Sequence, residues 1–105
     1  MIQPDPDRVR RILFWGMLRG ERPQDFVRTD ISAERRSALA AVLSAGTIAI
    51  AYLGFANCRI CHSRLGTCDL GAFGFVWPQQ AEHYILAHQV WTPDCDRLEM
   101  IARRR

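Results

Sequence analysis

The sequence predicts an α+β domain in which a small β-hairpin packs against a helix, with two helices before this unit and one after it. Three observations lead to this class. Apolar residues recur at helical spacing in the first half of the chain, β-branched and aromatic residues form two short runs in the middle, and helix-start signals return near the end. The 105 residues can bury one modest core, so we expect a single domain over residues 1–105.

The first predicted element is a short amphipathic helix near the N-terminus. Its apolar positions follow helical spacing, at Val9, Ile12, Leu13 and Met17. Arginines occupy its other faces, and Gly20 and Pro23 end it.

The second predicted element is a helix that ends near Ala45. Asp30 or Ser32 can cap its N-terminus, and Glu34 lies in its first turn. Its apolar stripe and its C-terminal cap follow at Leu39, Val42, Leu43 and Gly46.

Two strands and two helices complete the expected order. The segment Thr47–Leu53 is rich in β-branched and aromatic residues and predicts a buried strand, and Ala72–Trp77 alternates large and small residues as a second strand does. Pro78 fits the first position of a helix that runs to about His88. Asp94 can cap a final helix that leads into the basic tail.

The longest uncharged run, Ser37–Asn57, raises the alternative of a small membrane-associated protein. A spanning helix needs roughly 20 apolar residues. About half of this run is Ala, Gly, Ser and Thr, and Ser44–Thr47 interrupts a helix, so a helix followed by a strand is the favoured interpretation.

The N-terminal residues and the cysteines bear on the cellular compartment in which we expect the protein. The N-terminus carries acids and prolines where a secretory signal would carry basic residues followed by an apolar run. We therefore expect a cytoplasmic protein whose four cysteines are reduced, and there a CxxC motif is more often a metal or redox site than part of a disulfide framework.

The motif that directs the functional interpretation is a CxxC followed by two histidines. Cys58 and Cys61 lie in a turn between the two predicted strands, and His83 and His88 lie on the helix that follows. The pattern is C-x2-C-x21-H-x4-H, in which both short spacings suit structural zinc and the central gap is long. Residues five apart on an ideal helix point about 140° apart, so the helix must tighten or end near His88 for both rings to converge.

This pattern resembles the two-Cys/two-His zinc fingers over residues 58–88. The resemblance implies a zinc knuckle and helix closed around one structural Zn²⁺, with Cys58, Cys61, His83 and His88 as ligands. Within the single domain we expect a helical part (1–46), an embedded finger-like unit (47–91), and a C-terminal helix with a basic tail (92–105). Three other residues compete as ligands. Cys68 lies near the turn, His62 follows the second cysteine, and Cys95 lies beyond the helix and is interpreted as a packed thiol.

Catalysis is not expected from this motif. A catalytic zinc keeps an open coordination position, and four protein ligands leave none. A redox CxxC needs a helix N-terminus to lower the thiol pKa, and this one falls between strands. We therefore expect no enzyme and infer no small-molecule substrate.

The favoured function is binding to another protein, as a regulator, inhibitor or accessory subunit. The chain carries many aromatic residues for a small core, and aromatic side chains dominate protein interfaces. Phe14 and Trp15 are the expected partner contacts, because two adjacent helical residues cannot both face the same core.

The alternative function is binding to nucleic acid through the arginine-rich ends. All fourteen basic residues are arginine, and the net charge is +3. The candidate contacts are Arg8, Arg10, Arg11, Arg103, Arg104 and Arg105. The helix that carries the histidines has no Arg or Lys and includes Glu82, which makes it a poor reader of DNA by itself.

Overall fold

The computed structural model describes residues 9–15, 21–51 and 54–104, and its elements confirm the predicted α+β class. Within these residues the helices are α1 (Ala33–Ser44), α2 (Glu82–His88) and α3 (Pro93–Arg103), with a 3-10 turn at Pro23–Phe26. The strands are β1 (Arg10–Arg11), β2 (Thr47–Ala51), β3 (Cys68–Ala72) and β4 (Phe75–Pro78). They form one mixed sheet in the order β1-β4-β3-β2.

The predicted N-terminal helix is wrong over residues 9–15, where the chain is largely extended. Strand β1 pairs in parallel with β4, and the Ile12 amide donates a hydrogen bond to the Val76 carbonyl at 2.9 Å. Leu13 has a φ of 62°, which is incompatible with a right-handed helix. Residues 1–8 and 16–20 of this region lie outside the described residues.

Helix α1 matches its prediction at the N-terminus. The Ser32 side chain caps it by accepting a hydrogen bond from the Arg35 amide at 3.1 Å. Asp30 instead forms an ion pair with Arg28. Leu39 and Leu43 are buried, as the apolar stripe predicts.

Gly46 has a different role from the predicted left-handed cap. Ala45 is the C-terminal cap, with a φ of −91°. A Cβ atom on Gly46 would lie 2.7 Å from Cζ2 of Trp77 and 3.1 Å from Cβ of Leu70. Glycine is therefore required by the close approach of the Trp77 ring, and not by backbone conformation.

Strand β2 is confirmed as a strand, but the prediction that it is buried is wrong. All five of its residues are exposed, and the strand stands at one end of the described sheet. β-Branched residues indicate a pleated strand, whereas burial depends on which neighbours the topology supplies. Tyr52 and Leu53 of the predicted strand lie outside the described residues.

Strands β3 and β4 form a tight hairpin where one continuous strand was predicted. Phe73 and Gly74 join them with φ angles of 56° and 82°, the two successive positive values of a type I′ turn. The prediction over Ala72–Trp77 is wrong because the chain reverses inside it. Large and small residues alternate on both sides of the turn, which hides the reversal.

The starts of α2 and α3 also differ from prediction. Pro78 ends β4, and Gln80 with a φ of 65° separates it from α2. Helix α3 is capped by Thr92, whose hydroxyl accepts a hydrogen bond from the Cys95 amide at 3.3 Å. Asp94 lies in the first turn instead and forms an ion pair with Arg97.

The core lies between one face of the sheet and the helices. Trp77 is fully buried, and its Nε1 donates to the Leu43 carbonyl at 3.0 Å, which ties β4 to α1. Helices α2 and α3 both pack against α1. The largest fully buried side chains are those of Trp77, Trp91, Leu39, Leu43, Ile85 and Leu98.

The uncharged run Ser37–Asn57 is divided between α1, β2 and the chain beyond it. Among the described residues, no helix has the length and apolar character needed to cross a bilayer.

Candidate metal centre

The CxxC motif forms its own small hairpin, residues 56–66, which we call the knuckle. Asn57 and Arg64 form an antiparallel bridge at its base. The Cys58 amide donates to the Ser63 carbonyl at 2.8 Å, and the His62 amide donates to the Cys58 carbonyl at 2.9 Å. His62 has a φ of 65°, so the residue after the second cysteine adopts the left-handed geometry that a knuckle requires.

Two backbone amides point at the sulfur of the first cysteine. The amides of Ile60 and Cys61 lie 3.4 and 3.5 Å from Cys58 Sγ, and the Cys58 side chain is fully buried. These hydrogen bonds orient the sulfur, which is the atom through which a cysteine binds a metal ion.

Helix α2 supplies the two histidines, and it ends where the second one stands. Gln89, the next residue, has a φ of 56°, and its amide donates to the Tyr84 carbonyl. The two histidine rings lie 5.0 Å apart, centroid to centroid. The predicted convergence through a helix end at His88 is confirmed.

The four predicted ligands come together. One ligand atom each from Cys58, Cys61, His83 and His88 lies within 4.8 Å of the others. Zinc bonds of about 2.0–2.3 Å set the edges of a tetrahedron at roughly 3.3–3.8 Å. The 3.3 Å between Cys61 Sγ and His83 Nε2 already falls in that range. These residues can hold one metal ion.

A buried nitrogen supports this fit. His88 Nε2 is buried and has no hydrogen-bond partner in the described part of the chain. Leaving such a group unsatisfied costs about 1–3 kcal/mol. A bond from this nitrogen to a metal ion removes that cost, because coordination uses the same lone pair.

The second cysteine is prepared as a thiolate. The pKa of Cys61 is lowered from 9.0 to about 5, chiefly by the hydrogen bond between its sulfur and the Ser63 hydroxyl at 3.2 Å. The Ser63 backbone and the two histidines contribute further in the same direction. The anionic sulfur needed for coordination is thus present at neutral pH.

A tyrosine that sequence analysis did not single out joins the knuckle to α2. The Tyr84 hydroxyl accepts a hydrogen bond from the Arg59 amide at 2.9 Å. Its ring is buried, packs edge-on against Trp15, and stands next to His83 in the helix. Burial raises the pKa of Tyr84. Its position beside a predicted ligand was the only sequence signal available.

The competing ligands do not join the group. Cys68 is buried in β3, His62 is exposed on the knuckle, and neither belongs to the Cys/His group found among the described residues. All four cysteines are free thiols. Cys95 is buried in α3, as predicted for a packed thiol, and burial raises its pKa.

The predicted partner contacts separate into a buried and a half-buried residue. Trp15 is only 6% exposed and packs against Phe26 and Tyr84. It therefore offers a partner almost no surface. Phe14 is half-buried, and the Arg11 guanidinium lies 4.7 Å from the centre of its ring.

Most of the predicted nucleic-acid contacts that can be examined carry ion pairs. Arg10 pairs with Asp94, Arg11 lies 3.8 Å from Asp69, and Arg103 lies 3.8 Å from Glu99. Arg104 is exposed. Arg8 and Arg105 lie outside the described residues.

Comparisons of the chain with models of protein families, with curated proteins and with solved structures found no match.

Proposed function

We propose that this chain is a protein-interaction module in which one structural zinc ion, bound by Cys58, Cys61, His83 and His88, holds the knuckle to α2. The observation that carries the proposal is the convergence of two sulfurs and two ring nitrogens within 4.8 Å. Its role is to bind another protein, as a regulator, inhibitor or accessory subunit in the cytoplasm.

The donor set supports zinc as the ion. Two thiolates with two imidazoles in a tetrahedral arrangement are a common structural zinc shell. Cys58 is fully buried and His88 Nε2 is buried, so the ion lies against the protein interior. Four protein donors fill a tetrahedral shell and leave no position for a substrate. This supports a structural role and a function in binding, not catalysis.

The surface of the sheet supports a protein as the partner. Ile48 is 69% exposed and Ile50 is 48% exposed on β2, and Phe55 is 48% exposed just beyond it. Large apolar side chains exposed along a sheet edge that no described strand covers are suited to contact with another chain.

The pairing of arginines favours this function over nucleic-acid binding. Arg35 contacts both Glu99 and Asp96, and the ion pairs Arg22–Asp25 and Arg28–Asp30 neutralise two further guanidiniums. A guanidinium that is already paired with a carboxylate contributes little to phosphate binding, which depends on free cations.

Metal content and binding together test the proposal. Protein purified without added metal is expected to contain one zinc per chain by elemental analysis. His83→Asn loses this zinc, whereas the matched variant His62→Asn keeps it, because His62 is exposed and Asn tolerates the same left-handed backbone.

For binding, the zinc-loaded chain is immobilised and exposed to nuclease-treated extract of its host at about 0.5 M salt, where phosphate contacts are strongly weakened. We expect a stoichiometric protein complex that zinc-stripped chain fails to capture. Retention on DNA at low salt that collapses with added salt, without any protein complex, would establish the nucleic-acid function instead.

A further inference from the structure

Apart from one bulge, the edge formed by β2 lacks the features that usually protect a sheet edge. Its sequence, Thr47–Ala51, contains no charge and no proline, and every residue is exposed. It ends the described sheet, so alternate backbone amides and carbonyls face outward. Such an edge can accept another strand through main-chain hydrogen bonds.

A bulge in β2 sends its two isoleucines to opposite faces of the sheet. Ile48 pairs with Leu70, but Ile50 pairs with Asp69, with a shift in register between them. Leu70 is aligned with Trp77 and faces the core beneath α1. Ile50 therefore faces away from α1.

On that second face Ile50 lines a cavity of about 410 Å³. The sheet contributes Asp69 and Pro78, the knuckle contributes Ala56, Arg59 and Leu65, and Trp15 and Tyr84 also line it. The volume lies in the range of about 300–1,000 Å³ that suits a large apolar group or small ligand. The cavity and the β2 edge are continuous, because Ile50 belongs to both.

The lining of this cavity includes both paired and unpaired cations. Arg11 lies 3.8 Å from Asp69, and both residues line the cavity. Arg59 on the knuckle is exposed and has no carboxylate partner among the described residues, and neither has the nearby Arg64. Exposed cations without a carboxylate partner complement an occupant that brings carboxylates.

A second copy of the chain is a poorer match for this charge. Three of its acidic residues, Asp94, Asp96 and Glu99, lie in helix α3 and are already paired with arginines. Self-pairing of β2 would bring uncharged strands together and leave the arginines uncompensated. The charge therefore favours a different chain.

Building on the proposed function, we infer that the β2 edge and its cavity bind an extended segment of another protein in which an apolar side chain is flanked by acidic residues. The segment adds to β2 as a further strand. Its apolar side chain fills the cavity beside Ile50, and its carboxylates meet Arg59 and Arg64. The knuckle forms one wall of the cavity, so the metal centre positions this site.

The test begins with a displayed library of random octapeptides, selected on the full-length zinc-loaded chain and counter-selected on Ile50→Glu. We expect enrichment of peptides with an aliphatic or aromatic residue next to Asp or Glu. Enrichment of basic peptides, or no enrichment over the counter-selection, would overturn the inference.

A selected peptide is then synthesised with a fluorescent label and titrated against matched variants. Ile50→Glu and Arg59→Glu are expected to weaken binding by at least about tenfold, as residues at the centre of an interface do. Arg104→Glu reverses an exposed charge at the end of α3, outside the proposed site, and is expected to weaken binding by less than about threefold. Ile48→Glu puts the same new charge on the other face of β2, so it is expected to weaken binding less than Ile50→Glu does. Equal losses for Ile48→Glu and Ile50→Glu would contradict the role of the cavity.

Hydrogen exchange separates strand addition from simple occupation of the cavity. The peptide is expected to slow exchange of amides within residues 47–51, since they gain hydrogen-bond partners. Binding without this protection would refute strand addition, and a dimer that forms through β2 in light scattering would identify a second copy as the occupant. If the peptide result is negative while the salt-resistant, zinc-dependent protein complex persists, this inference fails and the proposed function stands.

Discussion

If zinc is bound as proposed, its removal is expected to unfold this protein cooperatively. Structural zinc contributes about 10–16 kcal/mol to the folding of small finger peptides near neutral pH. A whole domain of ordinary stability has a free energy of unfolding of about 5–15 kcal/mol. The metal contribution is therefore comparable to the entire expected stability, and its loss leaves little or nothing to hold the native state.

The structure explains why this loss extends beyond the knuckle. Without the ion, Cys58 loses its coordination and His88 Nε2 remains buried without a partner. Helix α2 also carries Tyr84 and Ile85, both buried, and it packs against α1. Loss of order at the metal site would therefore remove the packing of α2 against the core. The knuckle and the core are expected to unfold together.

The assay is thermal and urea unfolding followed by far-ultraviolet circular dichroism. The chain is refolded with excess chelator and compared with zinc-loaded chain, with Cys58→Ser, and with His62→Asn as the control. We expect no cooperative transition for the chelator-treated chain or for Cys58→Ser. The free energy of unfolding of His62→Asn is expected to lie within about 0.5 kcal/mol of wild type. A zinc-free chain that retains the native spectrum and a sharp transition would refute this reasoning.

Three further predictions concern the glycine beneath the core, the tyrosine clamp and acid release of the metal. Gly46→Ala is expected to lower the free energy of unfolding by about 1–3 kcal/mol in urea titration, because its Cβ would collide with the buried ring 2.7 Å away; an unchanged midpoint would contradict the contact. Tyr84→Phe removes the acceptor of the Arg59 amide and is expected to cost about 1–3 kcal/mol while zinc per chain stays unchanged, a combination that a loss of metal would rule out. Because hydrogen bonding with Ser63 lowers the pKa of Cys61 to about 5, the thiolate persists as pH falls to about that value, and proton competition for this ligand begins only below it. Ser63→Ala is expected to move zinc release, followed with a colorimetric chelator, to higher pH, and an unmoved release curve would show that this hydrogen bond does not set the acid limit.

The metal site was predictable because its information is local and chemically distinctive. Few residue types bind zinc, and the two short spacings place each pair on one turn or one helix end. The spacing of the two histidines predicts that the helix ends near His88, since only then can both rings converge. The helix does end there, and the next residue, Gln89, has left-handed geometry. The clamp from Tyr84 was not predictable, because it depends on how closely α2 approaches the knuckle.

The misses in the fold share a different cause, which is that several structures satisfy one pattern. The apolar spacing of Ile12 and Leu13 suits a helix, but both side chains are buried from an extended segment that pairs with β4. The exposure of β2 follows from its position at the end of the described sheet, which no local pattern specifies. The turn at Phe73 lacks an Asn-Gly or Asp-Gly signal, so the sequence predicts one continuous strand over Ala72–Trp77.

The knuckle belongs both to the candidate metal centre and to the cavity beside β2. It provides the sulfurs of Cys58 and Cys61, and it also provides Arg59 and Leu65 as lining of the cavity. If the edge binds an acidic segment as inferred, binding of the metal and binding of the segment are coupled. Each then raises the affinity of the protein for the other by the same factor. The protein would then report zinc availability to its partner, because zinc loading would favour assembly.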